Sequence, residues 1–69
     1  MNAKEARQFW CVASELRDAV RAGADPFEID VLIDEAQPFA DYAQSALIRS
    51  RARSLVFNCR RSQALRQRP

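Results

Sequence analysis

The chain has 69 residues, 48% of them apolar and 29% charged, with a net charge of +2; so short a chain holds one core, and so apolar a balance excludes a disordered tail. One glycine and three prolines are too few for a sheet with many tight turns, so an all-α fold is expected. With no histidine, two cysteines and no glycine-rich loop, the sequence argues against histidine acid–base chemistry, a zinc site within one chain and a phosphate-cradling loop; it predicts a non-enzyme without metal or cofactor.

Over residues 3–22 the apolar side chains Ala6, Phe9, Ala13, Leu16 and Val20 recur at steps of three and four, which lines one face of a helix. Trp10 and Val12 widen that stripe. Gly23, the sole glycine, follows the last periodic residue, where a helix end favours the left-handed conformation that glycine enters without a Cβ clash. Asp25, Pro26 and Glu28 then combine an N-cap carboxylate, a proline at the first helical position and a capping-box partner. Ile29, Leu32, Ile33 and Ala36 form the inward face of a short middle helix. Pro38, which has no backbone N–H, is expected to end or kink it.

From Phe39 the chain meets no glycine or proline before Pro69, which predicts one long third helix. Phe39, Tyr42, Ala43, Ala46 and Leu47 share its first face, and Ile48, Ala52, Leu55, Val56 and Cys59 follow at a shifted angle. The simplest cause of that shift is two packing partners, the chain's own helices first and another subunit second. Residues 60–69 have little but Ala64 and Leu65 to bury and are expected to fray.

The expected architecture is a small helical bundle over 1–69, a single interaction domain of two main helices and a short middle one. A bundle this small is marginal alone, so a homodimer is expected, with Phe9, Trp10, Ala13, Leu16, Val20, Ala52, Leu55 and Cys59 as its seam. No apolar run approaches the ~20 residues a membrane span needs, and no signal-like segment opens the chain. A cytoplasmic location follows as an expectation, with Cys11 and Cys59 as free thiols.

The charge is segregated. Residues 24–48 carry six acids and no base, for −6, and residues 49–69 carry seven arginines and no acid, for +7. On the middle helix Phe27 and Val31 project away from the inward face, among Glu28, Asp30, Asp34 and Glu35. Apolar anchors in a polar field are the usual composition of a protein-binding hot spot, and carboxylates beside them can stand in for phosphates on a basic partner. The plainer alternative has Phe27 packed beneath the helix entry and the acids merely solvated. On the third helix Arg49, Arg53 and Arg60 fall within roughly 40° of one another. Such a row would track nucleic-acid phosphates, dock an acidic protein, pair with the acidic helix within the chain or across a dimer, or simply be solvated.

In length, helical layout and charge placement, with an acidic capped helix over 25–36 ahead of an arginine-bearing one, the chain resembles the small antiactivators of phages and bacteria. These include anti-quorum-sensing proteins that bind a LuxR-type transcription regulator. The resemblance implies a homodimeric inhibitor in a bacterial host cytoplasm that sequesters a regulator through its DNA-binding surface. The alternatives are a small nucleic-acid-binding protein using Arg49, Arg53 and Arg60, and a phage inhibitor of another host complex. No membrane partner is expected.

Overall fold

A computed structural model describes residues 3–66 and shows three α-helices, α1 Ala3–Arg21, α2 Pro26–Tyr42 and α3 Ala46–Arg66. Among the described residues there is no strand, and no helix is long and apolar enough to cross a membrane. The helices form a rod of 43 × 17 × 14 Å. α2 packs along both other helices, while α1 and α3 touch each other least.

The first two boundaries follow from local chemistry. Gly23 has φ +70°, and a Cβ built there would meet nothing within 4 Å, so the backbone angle alone asks for glycine. Around it the Gly23 amide donates to the Val20 carbonyl at 3.1 Å and the Ala24 amide to the Ala19 carbonyl at 2.9 Å. These two bonds make a Schellman cap, and Ala19 and Ala24 both pack on the core beneath it. α2 starts at Pro26, where the Asp25 carboxylate accepts from the Phe27 amide at 2.8 Å. No reciprocal bond from Glu28 to Asp25 completes a capping box among the described residues.

The third boundary departs from the expectation. Pro38 lies inside α2 and does not end it; α2 runs on to Tyr42 and the chain breaks at Ala43, which has φ −57° and ψ 140°. No glycine or proline marks this break. It is held from a distance: the Glu5 carboxylate on α1 accepts from the Gln44 amide at 2.8 Å and the Ser45 amide at 3.1 Å. Arg49 donates to the carbonyls of Ala43 at 2.6 Å and Gln44 at 3.2 Å, and the Ser45 hydroxyl accepts weakly from the Ile48 amide at 3.4 Å. Carboxylate and guanidinium thus satisfy the backbone groups that two helix ends leave open.

The core is thin and rich in alanine. One cluster joins Phe9, Ala13, Ala40, Ala43, Ile48 and Ala52, and the other joins Leu16, Ile29, Ile33, Ala36 and Val56. Leu55 packs against both. The small side chains let the helices approach closely, and Phe9 fills the remaining space, its ring 5.6 Å from that of Phe39.

Three expectations change with these contacts. The shift of apolar face near Ile48 reflects the helix break at residues 43–45, and Ile48, Ala52 and Val56 beyond it pack on the chain's own helices. Of the expected dimer seam, Phe9, Ala13, Leu16 and Ala52 are buried within the single chain, and Val20, Leu55 and Cys59 are partly buried against it; only Trp10 is exposed. Finally, α3 stays helical to Arg66, beyond the point at residue 60 where the sequence offers little to bury. Gln63, only 5% exposed, donates to the Pro26 carbonyl at 2.9 Å and to Asp30 at 3.2 Å, which pins the end of α3 to the start of α2. Residues 67–69 lie outside the described part of the chain.

Candidate protein-binding site

The inward face of α2 buries Ile29, Ile33, Ala36 and Ala40, with Leu32 partly buried. The helical period therefore turns Phe27, Val31 and Tyr42 outward, and all three are exposed, Phe27 at 76% and Tyr42 at 82%. Phe27 is thus not packed beneath the helix entry. On an ideal helix these three fall within roughly 60° of one another, a strip along the rod. Glu28 and Glu35 lie exposed on one side of the strip, Asp34 and Asp41 on the other. α2 contains no basic residue to neutralise them.

Not every acid of the expected site is equally available. Asp30 is partly buried and accepts from Gln63, so it belongs to the helix-pinning contact. Asp34 accepts from Arg60 at 3.2 Å, an ion pair between two well-exposed side chains that holds the aspartate only loosely. Gln37 bridges further, donating to Asp41 and accepting from Arg60 at 3.5 Å. The carboxylates of Glu28 and Glu35 face water.

Tyr42 was not part of the expected site. Periodicity assigned it to the first face of a third helix, beside Phe39, Ala43 and Leu47. With α2 continuing through Pro38, Phe39 is partly buried and Ala43 buried, while Tyr42 and Leu47 point to solvent. The spacing of fifteen from Phe27 to Tyr42, about four helical turns, was the signal that would have found it.

The arginine row is brought together, but on α2. Arg53 donates through Nε to the Ala40 carbonyl at 3.2 Å, Arg49 reaches the Ala43 carbonyl, and Arg60 reaches Asp34. α2 has no basic residue in its own last turn, and α3 supplies two guanidinium groups to its carbonyl end. Within the single chain, two of the three arginines bond backbone carbonyls at the end of α2 and one pairs with an acid of α2.

A second feature lies between α1 and α3. A groove of about 390 Å³ is lined by Phe9, Trp10 and Arg17 from α1 and by Ser50, Arg51, Ser54, Leu55 and Asn58 from α3. Trp10 is 43% exposed and has the guanidinium carbons of Arg17 and Arg51 at 5.9 and 5.8 Å from its ring centre. Beyond it, burial pushes the Cys59 thiol above its ordinary range, and the charge of Arg17 opposes that shift in part. Cys11 is exposed, and both cysteines are free thiols. Comparison with protein-family models, curated proteins and solved structures finds no match to this chain.

Proposed function

We propose that this chain is a non-enzymatic protein-binding inhibitor whose α2 strip seats on the basic surface of a bacterial transcription regulator. The observation that carries this reading is the alignment of exposed Phe27, Val31 and Tyr42 along a helix that has carboxylates on both sides and no base. Aromatic anchors supply the area that water must leave, and the carboxylates occupy arginine and lysine side chains that would otherwise neutralise DNA phosphates. Competition for those cations keeps the regulator from its DNA. That the regulator is of the LuxR quorum-sensing type is what the resemblance to small antiactivators implies.

A homodimer in the bacterial cytoplasm belongs to the same reading. With Phe9, Ala13, Leu16 and Ala52 buried within one chain, the second copy meets exposed apolar side chains such as Leu47, Phe57 and Leu65 of α3. Light scattering at micromolar concentration tests it, and a molar mass near 7.9 kDa removes the dimer.

The inhibitor reading is tested with a LuxR-type regulator bound to its promoter fragment in a gel shift. Added chain is expected to release the DNA, more weakly as salt rises. A variant carrying Phe27→Ala, Glu28→Gln and Glu35→Gln is expected to lose release by at least roughly tenfold. A regulator that stays on its DNA with the native chain, or an unchanged variant, overturns the proposal.

A further inference from the structure

We propose that the groove between α1 and α3 binds a segment of single-stranded nucleic acid, stacking a base on Trp10 and holding phosphates with Arg17 and Arg51. The juxtaposition is specific to this side of the rod. All lining residues come from α1 and α3, none of them is acidic, and the polar ones are donors suited to phosphate or base edges: Arg17, Arg51, Ser50, Ser54 and Asn58. Trp10 is left 43% exposed with two guanidinium groups at 5.9 and 5.8 Å from its ring centre, which places an aromatic surface for a base beside cations for its phosphates.

Charge continues beyond the groove. On an ideal helix Arg21 lies within roughly 40° of Arg17, one turn further on, so the basic edge runs about 6 Å beyond Arg17 along α1. α3 contributes no acid anywhere along its length. Guanidinium groups on both walls of the groove, with Arg21 beyond them, suit a polyanion better than a single carboxylate. A duplex is a poorer occupant, because its bases are stacked and closed to the indole. This site is separate from the α2 strip and from Arg49, Arg53 and Arg60, which are bonded to α2 and its end.

The experiment titrates the full chain into a fluorescein-labelled oligothymidylate and reads anisotropy, while the fluorescence of Trp10, the single tryptophan, reports on the groove itself. Anisotropy is expected to rise at low salt and Trp10 to be quenched in parallel. Trp10→Ala is expected to weaken binding roughly tenfold. Arg17→Gln combined with Arg51→Gln, both exposed and outside the core, is expected to flatten the log–log salt slope by about 1.4. Far-UV circular dichroism confirms that each variant is folded. The proposal is overturned by no anisotropy change at low salt, or by equal competition from polyglutamate, thymidine monophosphate or duplex. Unchanged binding by the folded double-arginine variant overturns it as well.

Discussion

The two sides of α3 carry the same residue type in opposite states. Facing α2, Arg49, Arg53 and Arg60 each bond to carbonyls or a carboxylate of α2 and its end. Facing α1, Arg51 meets the indole of Trp10, shares a groove with Arg17, and no acid lines that groove. The difference lies in the neighbour rather than in α3. The end of α2 offers carbonyls that no further turn can satisfy, together with acids, whereas the facing flank of α1 offers neither. An arginine becomes structural where an acceptor lacks a donor, and remains available to a ligand where none does.

Perturbing what the two sides share has the largest expected effect. Leu16 is fully buried in the cluster that joins all three helices, and Leu16→Ala should cost about 3 kcal/mol in urea unfolding, enough to threaten so thin a core. Next is the linker that separates α2 from α3. Glu5→Gln removes the charge from two amide contacts and should cost about 1–2 kcal/mol. The same variant should speed hydrogen exchange at Gln44 and Ser45, whereas an unchanged exchange rate would show that the break is encoded locally.

Cys59 sharpens the α1 side through pH. Its pKa is raised in the folded chain by burial, so the stability it contributes is intact below the ordinary value of 9.0 and is lost as pH rises through the folded value. Stability of the native chain should therefore fall more steeply than that of Cys59→Ala as pH rises from 9.0 to the folded value, measured by urea unfolding across the alkaline range. Exposed Cys11 should also be alkylated well before Cys59. The smallest effect belongs to Arg60→Gln. Its ion pair joins two exposed side chains, and its loss should cost no more than about 0.5 kcal/mol.

Much of the fold was legible because its signals are local. Gly23, Asp25 and Pro26 fix the first turn by their own backbone and capping chemistry, and the stripe of Phe9, Ala13 and Leu16 named the buried face of α1. The second break was illegible for the opposite reason: Glu5 lies about forty residues away in sequence, and the nearer signal, Pro38, is tolerated inside α2. A break at Pro38 would place Tyr42 on a core face and leave the shifted face after Ile48 for a second subunit, whereas α2 runs on to Tyr42 and Tyr42 is exposed. The acidic strip was readable from Phe27 and Val31, whose outward direction follows from the period of Ile29, Ile33 and Ala36. The α1–α3 groove was not, since Trp10 and Arg51 are brought together only by tertiary packing.

The most direct test compares Arg53→Gln with Arg51→Gln in urea unfolding under identical conditions. Arg53 bonds a carbonyl at the end of α2, and Arg51 bonds no carbonyl among the described residues. The account predicts a loss of about 1 kcal/mol or more for Arg53→Gln and under about 0.5 kcal/mol for Arg51→Gln. Equal losses, or a larger one for Arg51→Gln, would contradict the division of α3 into a structural and an open side.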